Sequence, residues 1–347
     1  MKIDAKQDIR AFSKEELKDY FVLNGEKAFR AKQVYEWIWK KSATDFGQMT
    51  NLSLLTRNLL KEHFCINAVQ VDNVQFSDDG TIKSAFRLFD KQICEGVLIP
   101  TDKRMTACIS SQVGCSLACT FCATGRLKRS RNILSDEIYD QVRIIRDQAS
   151  EYYDQALSNI VYMGMGEPLL NYKNVLASID LITSQEGLGM SPKRITVSTA
   201  GVARMIERLA DDKIKFNLAL SLHAANDEKR NKIMGINETN NLEVLAKALR
   251  YFYNKTKTRV TYEYIIFDGF NDELTDAHEL YEFCNHIPCK VNIIEYNPIE
   301  GGEFKQAKPE KVDAFKNYLE SRGIIVNIRR SRGKDIDAAC GQLAIKI

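Results

Sequence analysis

A chain of 347 residues with 44% hydrophobic and 27% charged content has material for about two domains and one sizeable core. Its net charge of +3 excludes a polybasic nucleic-acid binder spread over the whole chain, and no run approaches the roughly 18 to 20 apolar residues of a membrane-crossing helix. Nine cysteines, an odd number, and a start (Met1-Lys-Ile-Asp-Ala-Lys-Gln-Asp8) without an apolar run argue against a secreted disulfide framework. The expected setting is the reducing cytoplasm, where cysteines serve as ligands, nucleophiles or core fillers.

Residues 1–68 read as helical. Ser13-Lys-Glu-Glu16 has the pattern of a capping box opening a first helix, and Asn24-Gly25 ends it. Val34, Trp37, Ile38 and Lys41 mark a second, amphipathic helix, and Leu52, Leu55, Leu59 and Leu60 a third. Lys27, Arg30, Lys32, Lys40 and Lys41 stand near Trp37 and Trp39, a mixture suited to gripping a phosphate backbone, although a helical bundle with a wet basic face has the same composition. Over 69–104 the pattern changes to strands at 71–76, 85–89 and 93–99, with a turn at Asp78-Asp79-Gly80, which reads as an antiparallel meander linking two domains.

Beyond Met105, strand-like runs at 106–110, 159–163, 195–198, 217–222, 260–266 and 291–296 alternate with amphipathic stretches at 136–153, 172–184, 242–253, 273–284 and 309–322. Such alternation predicts an α/β fold with a parallel sheet and outer helices, either a partial barrel or a doubly wound sheet. In both, the working loops follow the strand C-termini.

Just after the first of these strands stands Cys115-Ser-Leu-Ala-Cys119-Thr-Phe-Cys122. Three thiolates can hold three irons of a cubane cluster and leave the fourth open to a reactant, whereas ferredoxin-type carriers fill every iron. A structural zinc site would draw on a second ligand pair, and neither further cysteines nor His63, His223, His278 or His286 supply one nearby. Later strand ends carry Met163-Gly-Met-Gly-Glu-Pro168, Ser198-Thr-Ala-Gly201, Ser221-Leu-His223 and Asn297-Pro298. The glycines admit a ligand close to the backbone, and Glu167 can accept hydrogen bonds from an ammonium or hydroxyl. Each segment alone is compatible with an ordinary turn. On one face of one sheet they would form a polar ring around the open iron.

The triad resembles the signature of the radical S-adenosylmethionine (SAM) superfamily, C-x3-C-x-aromatic-C, and Gly164-Met-Gly166-Glu167 resembles its glycine-rich motif. Longer stretches, Cys108-Ile-Ser-Ser-Gln-Val-Gly-Cys115, Phe121-Cys-Ala-Thr-Gly125, Ser221-Leu-His-Ala224 and Arg332-Gly-Lys-Asp-Ile-Asp-Ala-Ala-Cys-Gly-Gln-Leu343, are similar to the RlmN family of adenine-C2 RNA methyltransferases over about 95–343. The resemblance implies a partial (β/α)6 radical-SAM barrel at 105–335, an N-terminal helical RNA-binding domain at 1–68, a β linker at 69–104 and a C-terminal segment at 336–347. It implies one 4Fe-4S cluster on Cys115, Cys119 and Cys122, and two SAM molecules per turnover contacted by Gly166, Glu167, Ser198, Ser221, Leu222, His223 and Asn297.

By the same resemblance, a first SAM methylates Cys340 and a second yields a 5'-deoxyadenosyl radical that takes hydrogen from the methylated sulfur. The carbon radical adds to adenine C2, an electron-poor carbon that direct transfer from a sulfonium does not reach. Cys108 then resolves the protein-RNA adduct through a transient disulfide with Cys340, and Glu95 acts as proton acceptor. The implied partners are 23S rRNA, tRNA and an electron donor such as flavodoxin or ferredoxin, with no membrane and a monomeric chain. A Cfr-like enzyme acting at adenine C8 with the same cysteines is the nearest alternative; a cluster-bearing RNA-binding or redox-sensing module without turnover comes from another class and would not need Cys108 or Cys340. On the residues alone, Cys108 reads as a core filler and Glu95 as solvent-facing, while Cys340 reads as a mobile thiol whose pKa Arg332 or Lys334 lowers. Cys65, Cys94, Cys284 and Cys289 read as structural.

Overall fold

The computed structural model describes residues 6–345. Near its start, β1 (Gln7–Asp8) pairs in parallel with β2 (Phe64–Cys65), enclosing α1 (Lys14–Leu23), α2 (Arg30–Trp39) and α3 (Leu54–His63). The Ser13 capping box forms as expected: Ser13 Oγ accepts the Glu16 N–H at 3.3 Å and Glu16 Oε2 accepts the Ser13 N–H at 2.7 Å. Helix α3 turns Thr56 and Leu60 inward and leaves Leu55 80% exposed, so the leucines expected to share one face are divided between core and solvent.

Trp39 does not join the basic residues at the surface. It is buried, its ring meeting Tyr139 edge-on at 5.2 Å while the Tyr139 hydroxyl donates to the Trp39 carbonyl. Tyr139 lies on α4 (Ser135–Tyr153). Beside it, Arg10 reaches Asp136 at 2.9 Å and Asp140 at 2.8 Å with only 3% of its side chain exposed. An aromatic pair and a buried guanidinium thus fasten the N-terminal helices to the rest of the chain.

Among the described residues, ten strands form the main sheet: β3 (Gln70–Phe76), β4 (Ile82–Arg87), β5 (Ile93–Thr101), β6 (Arg104–Cys108), then β9 (Asn159–Tyr162), β10 (Ile195–Thr199), β11 (Asn217–Ser221), β12 (Val260–Ile266), β13 (Cys289–Glu295) and β14 (Val326–Arg329). A two-residue ladder, β7 (Gln112–Val113) with β8 (Arg131–Asn132), stands apart. Strands β3 to β6 pair antiparallel, and β6 through β14 pair in parallel. The spatial order follows the chain order without reversal. A doubly wound sheet needs a reversal to create its switch point; crossovers of one hand laid down in sequence keep the helices on one side. The alternative left open by the sequence therefore resolves to a partial barrel, with β3 and β14 as its unpaired ends. Because β5 pairs with β6, the meander is an extension of the same sheet.

Helices α5 (Tyr172–Thr183), α6 (Ala203–Asp211), α7 (Asp227–Ile233), α8 (Leu242–Thr256), α9 (Leu274–Cys284) and α10 (Pro309–Glu320) fill the crossovers. The sequence reading missed α6, α7 and β14. Helix α6 buries Ala203, Ile206, Leu209 and Ala210 on one face and carries its charged residues on the other, but it is only nine residues long. Strand β14 is four residues at an edge, so its apolar pattern is too brief to read. At the other extreme, all seven residues of β12 are buried, as expected of a strand covered on both faces. No helix among the described residues is long and apolar enough to cross a membrane.

Replacing Arg10 with alanine leaves Asp8, Asp136 and Asp140 facing one another without their shared cation. The expected cost is roughly 3 to 5 kcal/mol, read from urea unfolding; a loss below about 0.5 kcal/mol contradicts this docking role.

Candidate active site

The C-terminal ends of the parallel strands open onto one rim, and the cysteine loop leaves from the first of them, β6. The β7–β8 ladder pinches its base, with Val113 opposite Arg131. Within the loop the Cys115 N–H donates to the Leu127 carbonyl at 3.2 Å and the Cys122 N–H to the Cys119 carbonyl at 3.2 Å. A Cβ on Gly125 would lie 2.7 Å from the Cys119 carbonyl oxygen, so the chain folds back over the cysteines only with glycine there. Phe121, the aromatic residue of the motif, packs edge-on against His223 at 4.8 Å and against Phe267 at 5.7 Å. It belongs to a small apolar cluster with Ala200, Ala224, Ile233, Met234, Ile265, Phe267, Ile294 and Tyr296, separate from the main core, that floors the loop.

Cys115, Cys119 and Cys122 line one cavity with Gly166, Glu167, Ser198, Ser221, His223 and Cys340. Burial pushes the Cys115 thiol up to about 11 and raises Cys119 and Cys122 as well, so as bare thiols they hold their protons. The glycine-rich turn after β9 comes very near its neighbour: Gly166 has φ +92°, and a Cβ there would lie 2.4 Å from Gln112 Cβ. The Glu167 carboxylate accepts the Leu169 N–H at 3.0 Å and the Ala200 N–H at 2.7 Å, tying the β9 and β10 loops. Burial outweighs these bonds and raises its pKa to about 7. About two of its four lone-pair directions stay open for a ligand cation.

Ser198 and Ser221, on adjacent strands, place their hydroxyls 3.1 Å apart. His223 sits at φ +57° and its Nδ1 accepts the Ile265 N–H at 3.2 Å. Burial lowers its pKa to about 3, which leaves a neutral ring whose proton the hydrogen bond assigns to Nε2. Asn297 is buried; its Nδ2 donates to the Cys340 carbonyl at 3.2 Å, and its Oδ1 has no partner among the described residues. Leu222 is fully buried and does not line the cavity; its carbonyl accepts from Arg230 Nε at 3.1 Å.

The C-terminal segment docks on the cysteine loop. The Ala123 N–H donates to the Gly341 carbonyl at 2.7 Å and the Thr124 hydroxyl to the Leu343 carbonyl at 2.6 Å, with Cys340 exposed just before the first of these anchors. Cys340 also lines a second cavity with Cys108 and Arg329. Burial raises the Cys108 thiol to about 12. Arg332 and Lys334 do not serve Cys340: Arg332 donates to the carbonyls of Asp79 and Pro100, and Lys334 pairs with Glu295. The cation shared by both cavities is Arg329, paired with Glu263 at 3.2 Å. Glu95 is 1% exposed, not solvent-facing, and lines neither cavity.

The family profile described as "Ribosomal RNA large subunit methyltransferase N-terminal domain" matches residues 7–66, and the profile "Radical SAM superfamily" matches 109–283. The "Probable dual-specificity RNA methyltransferase RlmN" of Cytophaga hutchinsonii is 63% identical over 98% of this chain and 93% of its own length; the protein so named in Salinibacter ruber is 42% identical over 97% and 94%. A crystal structure of a radical SAM methyltransferase from Sphaerobacter thermophilus superposes with a TM-score of 0.92 at 37% identity, covering 97% of this chain and 99% of that one. The chain belongs to the RlmN family.

Radical SAM proteins use a 4Fe-4S cluster and SAM. The RlmN-family residues fit both groups: three unbridged thiols line one wall of the cavity, and Glu167, the neutral His223 and the paired serines line the rest, while Asn297, whose buried Oδ1 has no partner among the described residues, stands outside the lining against the Cys340 carbonyl. A buried acceptor without a donor is costly, and a bound ligand's N–H or O–H would satisfy it. Sequence reasoning missed Glu263, Arg329 and Arg230. Glu263 could have been flagged as the carboxylate inside an otherwise apolar strand, whereas Arg329 was masked by its basic neighbours. Arg230 carried no signal, although it is fully buried and donates to the Ala200 carbonyl at 2.6 Å, to the Leu222 carbonyl and to Asn237 Oδ1 at 2.6 Å.

Two outcomes follow from this geometry. After anaerobic reconstitution, Cys119→Ala should hold little or no cluster iron where the unaltered chain holds about four atoms; full iron content in the variant contradicts the ligand assignment. Glu167 binds its proton more tightly folded than unfolded, so its contribution to stability is present below about pH 4.5 and is lost as pH rises through about 7. An ammonium ligand needs the ionised form, so SAM affinity in the reconstituted chain should rise through about pH 7 and Glu167→Gln should flatten that rise; a pH-independent affinity, measured by equilibrium dialysis, counts against the assignment.

Proposed function

We propose that this chain methylates carbon 2 of an adenosine in the peptidyl-transferase centre of 23S rRNA and of the adenosine 3' to the anticodon in tRNA. The observation that carries the reading is the docking of the Cys340 segment on the cluster loop through Ala123 and Thr124, with Cys108 lining the cavity on its other side. A binding or redox module needs neither of these two cysteines. The relatives' printed name, dual-specificity RNA methyltransferase, supports the substrate class.

When bound, the cluster and SAM supply radical chemistry and the methyl carbon. The chain's own residues orient and shield. Glu167, Ser198, Ser221, His223 and Asn297 hold the amino-acid and nucleoside parts of SAM, and the apolar cluster around Phe121 keeps water from the reacting end. Cys340 Sγ, exposed at the boundary of both cavities, carries the carbon to the base. Cys108 Sγ, deprotonated, then attacks the Cys340 sulfur: the S–S bond forms as the bond from Cys340 sulfur to the methylene carbon breaks. That carbon keeps the electron pair and takes a proton to become the methyl group, the RNA leaves, and a thiol or electron donor reduces the Cys108–Cys340 disulfide by two electrons. By the family resemblance Glu95 serves as proton acceptor; its carboxylate lies against the C-terminal segment, accepting the Ala344 and Ile345 N–H groups.

Reaching an adenine inside a structured RNA requires extruding it from its stack. Lys32 on α2 and Lys27, Lys40 and Lys41 in the turns flanking it are exposed, and Arg104, Arg330 and Arg332 rim the second cavity. These cations grip phosphates on either side of the extruded base and give salt-dependent affinity. A flavodoxin- or ferredoxin-type donor reduces the cluster in the cytoplasm, and the chain works as a monomer.

The reading is tested by anaerobic turnover with methyl-labelled SAM and mass analysis of digested rRNA and tRNA. The expected product is 2-methyladenosine, absent with Cys340→Ala; 8-methyladenosine would assign the chain a Cfr-like regiochemistry instead. With Cys108→Ala, a covalent protein-RNA adduct should accumulate on denaturing gels, and free methylated RNA at the unaltered rate would remove Cys108 from the scheme.

A further inference from the structure

Glu95 lies in strand β5 opposite Ala85, and Lys83 sits two residues along β4 on the same face, opposite Val97. Both side chains are almost entirely buried, at 2% and 4% exposure, with Lys83 Nζ 3.8 Å from Glu95 Oε1. The other carboxylate oxygen, Oε2, accepts two consecutive backbone N–H groups of the C-terminal segment, Ala344 at 2.9 Å and Ile345 at 3.1 Å. Ile345 is held at φ +57°, a left-handed conformation that a β-branched residue adopts only when its surroundings impose it. Burying an ion pair does not in general favour a fold over an apolar pair of equal volume. The charge at Glu95 is accounted for by the two N–H groups it gathers, since a carboxylate is a stronger acceptor than any neutral group of its size.

The backbone of Glu95 faces a second part of the site. Its carbonyl accepts the Ser110 hydroxyl at 2.5 Å, and that same oxygen of Ser110 accepts the Met165 N–H at 2.8 Å, inside the glycine-rich turn. One residue therefore touches, through its side chain, the segment five residues beyond Cys340 and, through its backbone, the turn that cradles SAM. In the other direction along the tail the anchors are the cysteine loop, through Ala123 and Thr124, and Asn297.

We propose that Glu95, neutralised by Lys83, is a positioning residue that clamps the C-terminal segment and so sets where Cys340 stands between the two cavities. This inference rests on the methyl-carrier reading of Cys340. A thiol that must meet SAM, the base and Cys108 in turn needs a tether that holds its segment without burying the sulfur. Hydrogen bonds from backbone N–H groups to one carboxylate oxygen do that and leave the Cys340 sulfur exposed, while Gln342 and Leu343 pack the segment in place.

Hydrogen exchange of the full chain, with no SAM or RNA added, reads the clamp directly. In Glu95→Gln, and in the double variant Lys83→Met/Glu95→Met that leaves no unpaired buried charge, exchange at Ala344 and Ile345 should quicken by about tenfold or more. Exchange in α4 and the thermal midpoint of the double variant should stay those of the parent. Parent-like tail exchange in both variants, or a uniform quickening over the whole chain, overturns the proposal. A turnover cycle separates the clamp from proton acceptance: Glu95→Gln and Ala344→Pro, which deletes one of the donors, should each lower kcat without raising KM for RNA, and their combination should be no slower than the slower single variant. Multiplying effects would instead mark Glu95 as acting independently of the tail and overturn the clamp. Because exchange needs no substrate, failure of the clamp and failure of the methyl-transfer reading are seen in different measurements.

Discussion

Parallel pairing from β6 to β14, in unbroken chain order, is the constraint on which the rest of the structure depends. Every strand of that run ends on the same rim, so each crossover begins with a loop beside the loops of its neighbours. The cysteine loop after β6, the glycine-rich turn after β9, the serines at the ends of β10 and β11 and Asn297 after β13 are far apart in sequence. They meet because the sheet leaves their loops no other rim to occupy. Extending the sheet through β5 and β4 brings Glu95 and Lys83 against the C-terminal segment from the antiparallel side.

Burial then sets the chemistry of what is gathered there. Desolvation keeps His223 neutral and holds the three cysteines as thiols in the bare chain; it also lifts Glu167 toward neutrality. A buried pocket of this kind would take up charge most economically through ligands that bring their own partners, as a metal does for thiols and an ammonium for a carboxylate. The fixed cations are handled in another way. Arg230, buried without an exposed edge, spends its donors on carbonyls and Asn237 and stitches the β10 and β11 loops, while Arg329 leans on Glu263 at the junction of the two cavities. Substituting either would disturb loop positions as well as charge.

Much of the site was legible from local spacing. Gaps of four and three residues between cysteines, the aromatic residue before the last of them, and glycines flanking Met165 are short-range patterns, and each has a short-range physical cause: the loop returns over Cys119 because Gly125 has no Cβ, and Phe121 must fill an apolar floor. The alternation of strands and helices was legible for the same reason, since periodicity is a property of neighbouring residues. Elements that repeat their period only about twice, such as α6, α7 and β14, escaped it. Trp39 and the leucines of α3 were misplaced because composition shows that a residue is apolar and not which surface it will meet.

The sequence by itself determined that three closely spaced cysteines stand in one loop, that an α/β array carries them, and that Cys108 and Cys340 accompany them. Only the tertiary structure decided that the array is singly wound, that Arg329 rather than Arg332 or Lys334 lies between the two thiols, and that Glu95 is buried against the tail. The first group depends on contacts within a few residues, whose geometry the backbone restricts in advance. The second depends on closing loops of tens to hundreds of residues, such as that from Glu95 to Ile345, and the free energy deciding which loops close is shared by the whole sheet.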